Sequence, residues 1–303
     1  MYFPYFRGRQ YELLALKELA KNKLISKSIM PIIEPVKNTS TFITTIQEFE
    51  KADLPYSIVL NPAVGEMKDI QQIMQLCNLS GKLIVPSLII KKDIPKCLRL
   101  LESQNIVRNE ILAVLDNINY LDIYINEFNE LSPRFTLSFD ERQIRRSVKQ
   151  GKVLFEDRFE KQQKNADYPE EEFFSDDHLY FQEEGYSGFG DYSIIGNEYT
   201  EGGFAPFAVA IHIVYLTDDN SLRIRHFISD SNDDISDVAG KFYEAVLKLA
   251  TWHRNRPKQH TTEGLNILLN HYENHTYPGL PTLKKLSIMH HLELIGKFLD
   301  KRL

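Results

Sequence analysis

Ile111-Leu-Ala-Val-Leu-Asp116, Phe135-Thr-Leu-Ser-Phe-Asp140 and Val153-Leu-Phe-Glu-Asp157 are three short apolar runs, each closed by a carboxylate. Segments with helical spacing separate them, at 119–129 and 141–150. Near-continuous apolar runs suit strands buried on both faces, and strand–helix alternation at this spacing implies right-handed crossovers and a parallel sheet. The same grammar extends toward the start of the chain. Strands are predicted at 2–6, 29–34, 57–61 and 82–90, the last interrupted by Pro86, with helices at 10–22, 39–49, 66–78 and 93–103. A further strand at 191–196 makes eight. The fold class that follows is α/β, an eight-stranded (β/α) TIM-like barrel, with an open doubly wound sheet as the alternative.

In a barrel of parallel strands the reactive groups come from the ends of different strands. The strand-end set is Arg7, Glu34, Asn61, Ser87, Asp116, Asp140, Asp157 and Glu198. Gathering acids around one mouth costs stability through repulsion, so something must use or neutralise them. Glu34, Asp116, Asp140 and Asp157 are the candidate ligands of a divalent cation, Mg²⁺ or Mn²⁺. Glu34, Asp116 and Asp157 are also the leading acid–base candidates, one carboxyl being raised by its charged neighbour. Pairing with Arg7, Arg9 or Arg142, or capping of the next helix, is the competing role, and Asp140 is well placed as an N-cap.

After the seventh predicted strand the style changes. Residues 159–190 are acidic and aromatic, and are expected to form a lid with Gly185, Gly188 and Gly190 as its hinge. His178 lies there beside Asp176 and Asp177 and is a candidate general acid/base. A second loop, 198–203, ends in Gly202-Gly203. Residues 207–229 form a predicted hairpin turned at Asp218-Asp-Asn-Ser221, and 236–253, 261–273 and 283–301 are helical. The expected division is a barrel over 1–230, with lid and hairpin, followed by a helical segment over 231–303.

A chain of 303 residues with 43% hydrophobic and 26% charged residues is of ordinary globular composition. A net charge of −6 supplies no global field for nucleic acid or an anionic membrane. Cys77 and Cys97 read as buried thiols. No signal-like start or spanning apolar stretch is visible, which makes a cytoplasmic protein the expectation. His271 and His275 stand four apart, but the segment is His-Tyr-Glu-Asn-His, with Tyr272 where a zinc protease needs its base. His212 and His226 read as core-edge residues of the hairpin.

The opening Tyr2-Phe-Pro-Tyr-Phe-Arg-Gly-Arg-Gln-Tyr-Glu12, then Pro31-Ile-Ile-Glu-Pro35, Leu60-Asn-Pro62 and Phe189-Gly-Asp-Tyr192, resemble the phage-type beta protein family. The match runs from the first residues to about residue 230. It implies a bacterial or phage cytosolic protein with a role in phage–host conflict, beside restriction-like nucleases. It brings no catalytic residues with it. Arg7, Arg9, Gln10, Glu34, Asn61, Asp191 and Tyr192 coincide with the family pattern, and Arg7, Arg9, Asn61, Asp191 and Tyr192, with Glu198, make the candidate ligand-binding set.

Two functions follow. One is an enzyme of the barrel type, a metal-dependent hydrolase or lyase acting on a small or phosphate-bearing ligand. The other is a non-catalytic partner or regulator of a neighbour-encoded nuclease-like protein. Direct nucleic-acid binding ranks below both.

Overall fold

The structure, a computed structural model, describes every residue except 80, 201, 203–205 and 302. Its chain forms two compact units. One comprises Met1–Leu13, Lys27–Asp157 and Asp177–Tyr192; the other comprises Leu14–Ser26, Arg158–Asp176 and Ser193–Leu303. The helix α1, Gln10–Lys21, begins in the first and ends in the second.

The first unit is an α/β barrel. Its parallel strands are β1 (Tyr5–Phe6), β2 (Ile32–Ile33), β3 (Tyr56–Val59), β4 (Ile84–Ile89), β5 (Leu112–Leu115), β6 (Phe135–Ser138) and β7 (Lys152–Phe155). Strand β8 (Glu171–Ser175) belongs to the other unit, and β9 (Gly188–Gly190) completes this sheet beside β7. The helices between strands are α2 (Ser40–Lys51), α3 (Ile70–Leu76), α4 (Ile94–Glu102), α5 (Leu121–Phe128) and α6 (Arg142–Ser147), with α7 (Asp177–Tyr180) just before β9. The sequence dictates α2 locally. Thr39 Oγ1 accepts from Phe42 N at 3.1 Å, and Phe42, Thr45, Ile46 and Phe49 then fall on one buried face. Such a cap is worth about 1 kcal/mol.

Alternation along the strands decides what fills the barrel. Phe3 and Tyr5, Met30 and Ile32, Val59, Val85 and Ile89, Leu112 and Val114, Leu137, Val153 and Phe155, and Tyr192 make one buried apolar cluster. Within each strand these residues share a parity, as the two-residue period of a strand requires.

The seam differs from the expected one. The eighth strand is Gly188–Gly190, not 191–196, where residues 193–195 turn instead. Phe3 N donates to Phe189 O and Tyr5 N to Asp191 O, both at 2.8 Å, bringing the two ends of the sheet together. Side chains have no room there. A Cβ on Gly188 would lie 2.6 Å from the Phe3 ring, and one on Gly190 would lie 2.4 Å from Phe3 O. Of the glycines read as a hinge, Gly188 and Gly190 are therefore part of the strand itself, and Gly185 lies in the turn before it. The expected lid is likewise divided: 159–176 joins the second unit, while 177–190 is part of the barrel unit.

The second unit carries a three-stranded antiparallel sheet in the order β10 (Ala210–Leu216), β11 (Leu222–Ile228), β8. The predicted hairpin is present, and β8 adds to it from the former lid. With it go α8 (Val238–His253), α9 (Glu263–Glu273) and α10 (Leu280–Leu299). The hairpin falls in the same unit as the C-terminal helices. Among the described residues, no helix is long and apolar enough to cross a membrane.

Candidate functional site at the barrel mouth

Carrying the strand alternation one step past each C-terminal end assigns the side chains of the mouth. Arg7 follows Phe3 and Tyr5; Glu34 follows Met30 and Ile32; Asn61 follows Val59; Lys91 follows Ile89. On the remaining strands the inward position falls to Asp116 after Val114, Phe139 after Leu137, Asp157 after Phe155, and Tyr192 itself.

Glu34 is fully buried and its carboxylate is saturated. One oxygen accepts from the Tyr5 hydroxyl at 2.9 Å and from the Arg7 guanidinium. The other accepts from the backbone N–H of Ala63 at 2.5 Å and of Val64 at 3.2 Å. Arg7, whose side chain is 13% exposed, lies 5.3 Å from the Tyr5 ring centroid and 5.4 Å from that of Tyr192. A guanidinium between two aromatic faces and against a carboxylate is held rigidly.

Around this strut the remaining groups interact. Burial raises the Asp116 pKa above the usual carboxylate range; Lys91 and Arg7 pull it down and Glu34 pushes it up. The Asp116 side chain nonetheless keeps access to solvent. Burial also raises the Tyr192 phenol; Arg7 opposes the rise, and Asp116, Asp157 and Glu34 add to it. Lys91 Nζ reaches Asn61 O at 3.3 Å. Arg7, Glu34, Lys91, Asp116, Asp157 and Tyr192 therefore belong to one electrostatic group.

The other sequence candidates have different duties. Asp140 is turned away by the parity of β6, since Leu137 faces inward; it pairs with Arg145 at 3.0 Å and accepts from the Tyr186 hydroxyl at 2.7 Å. Asp191 lies on the face opposite Tyr192 and accepts from the buried Tyr2 hydroxyl at 2.6 Å, clamping the seam from outside. Asn61 spends its amide on the backbone of Ile89, accepting from its N and donating to its O, both at 2.8 Å. Arg9 N donates to Glu12 at 3.3 Å. His178 is no exposed lid residue: it is buried in α7 with its ring 6.3 Å from that of Phe189. Glu198 is exposed in the second unit and bonds Lys161 at 2.9 Å. Ser87 lies inside β4, not at its end. Gly203 of the second loop lies outside the described residues.

Lys91, Phe139 and Tyr5 were not singled out by sequence. Counting parity along β4 and β6 would have found the first two. The Mg²⁺ or Mn²⁺ set does not fit: Glu34 is filled by four donors and Asp140 faces away. Among the described residues, no group of three or more His, Cys, Asp or Glu side chains is arranged to hold a metal ion. No family model, curated protein or solved structure matches the chain.

Proposed function

We propose that the barrel mouth binds a small polar ligand with an anionic, phosphate-like group and exchanges a proton with it. Lys91 and the exposed edge of Arg7 meet the anionic group. Asp116 is the proton-exchanging residue, with Asp157 and Tyr192 beside it. The observation that carries this reading is a solvent-accessible Asp116 whose pKa burial raises although two cations act on it. A carboxyl raised above the usual carboxylate range at the end of a barrel strand suits general acid–base work. The phage–host setting rests on the resemblance of the quoted motifs.

The test is incubation of the chain with a mixture of polar metabolites, read by mass spectrometry. Wild type is expected to consume at least one anionic component, and Asp116→Asn to do so about 10²–10⁴-fold more slowly. Equal rates in the two, or no consumption by either, would overturn the enzymatic reading.

The second reading, a non-catalytic partner of a nuclease-like protein, is supported by Phe173 and Phe207, both more than half exposed in the second unit. It predicts that a neighbour-encoded nuclease co-purifies with the wild type and is lost with Phe173→Ser and Phe207→Ser combined.

A further inference from the structure

We propose that His212 and His226 of the second unit form a two-imidazole site for a nitrogen-preferring transition-metal ion, Cu²⁺ or Zn²⁺. They stand directly opposite one another on β10 and β11, and their Nδ1 atoms face at 2.7 Å. The third strand contributes as well. Glu172 of β8 lies 3.0 Å from His226 Nε2, so the proton of a neutral His226 belongs on Nε2 and its Nδ1 lone pair accepts from His212 Nδ1–H. Metal binding displaces that one proton, which His212 Nε2 takes up as the ring changes tautomer. A carboxylate on the far nitrogen of a metal-binding imidazole is the usual outer partner of such a ligand; it fixes the tautomer and raises basicity.

The surroundings keep both rings neutral, the form that coordinates a metal. Burial pulls the His226 pKa down to about 4. His212 lies well below the ordinary value, through burial first, then His226 and Lys284. The Tyr168 ring stacks on His226 at 4.7 Å, and Phe159 meets His212 edge-on at 5.2 Å, which fixes the two planes. The charged groups acting here are Glu172 from β8, Glu160 from the segment before it, and Lys284 from α10. Two acids favour a cation and one ammonium opposes it.

With metal–nitrogen bonds of about 2.0–2.1 Å, tetrahedral coordination separates two ligand nitrogens by about 3.3 Å. The two Nδ1 atoms therefore need to part by only about half an ångström, within small ring rotations. By the usual order of divalent affinities, Cu²⁺ binds more tightly than Zn²⁺.

The experiment is titration of the full chain with CuSO₄ and with ZnCl₂, the bound ion being counted after desalting. One ion per chain is expected, weakened about 10–100-fold in Glu172→Gln and lost in His212→Gln and His226→Gln. Unchanged binding in both histidine variants, or none in a natively folded wild type, would overturn the proposal. Cu²⁺ electron paramagnetic resonance of the wild type needs no variant to fold: hyperfine structure from two imidazoles supports the site, and oxygen-only coordination sinks it.

Discussion

Replacing Glu34 by Gln tests whether the Arg7–Glu34 pair is a strut of the barrel. The change keeps shape and removes charge. Glu34 now accepts from four donors: Ala63 N at 2.5 Å, Val64 N at 3.2 Å, the Tyr5 hydroxyl at 2.9 Å and Arg7. A glutamine can keep its oxygen toward Ala63 and Val64. Its NH₂ then faces Tyr5 and Arg7, donor against donor. Two bonds to a charged group are lost, at about 1.5–3 kcal/mol each, and the guanidinium is left against aromatic faces without its counter-charge. The sum agrees with the roughly 3–5 kcal/mol typical of a broken buried ion pair. At about 2–4 °C per kcal/mol for a domain of this class, the melting temperature should fall by roughly 6–20 °C. Urea and thermal unfolding, followed by circular dichroism, measure it. The double variant Glu34→Gln, Arg7→Met should recover part of the loss, because the orphaned cation goes with it. A loss under about 1 kcal/mol in the single variant, or full additivity in the double, would refute the reasoning.

Three further outcomes follow. Gly190→Ala should destabilise by about 1–3 kcal/mol in urea, because its Cβ lands 2.4 Å from Phe3 O and 3.2 Å from Phe155. Asp140→Asn should cost under about 1 kcal/mol, since the Arg145 pair is exposed, and should leave any turnover intact. His290 is buried, donates from Nε2 to Val214 O and accepts at Nδ1 from Thr262, both at 2.7 Å. Burial chiefly pulls its pKa down to about 4. The folded state thus keeps it neutral while the unfolded chain takes up a proton below about pH 6.5, so stability falls as pH drops from about 6.5 to 4. The loss should be about 2.5 kcal/mol between pH 7.5 and 4.5, measured by urea midpoints, and should be flattened in His290→Gln.

The barrel is legible because its strands carry a two-residue rhythm between helical segments. Glu34, Asp116 and Asp157 end their runs on the inward parity, so reading the last acid finds the site. Asp140 ends its run one residue out of phase, and only the inward Leu137 reveals that. Lys91 is hidden because β4 passes through Pro86 and Ser87 to Ile89 before its mouth residue comes. Strand β9 has no β-forming signature, since Gly-Phe-Gly is selected by Phe3 across the seam and by the Phe155 ring of neighbouring β7. Glu198 misleads for the same reason: placing the strand at 191–196 makes it a terminal residue that it is not. The His212–His226 facing depends on hairpin register, set by the turn and the Leu216–Leu222 pair.

The central claim is that side chains from separate strand ends form one electrostatic layer around Asp116. Its most direct test is the carboxyl ¹³C titration of Asp116 in wild type, Lys91→Met and Asp140→Asn. The wild-type midpoint should lie above the ordinary carboxylate value, rise further without Lys91, and stay put in Asp140→Asn. An ordinary midpoint that ignores Lys91 would contradict the account.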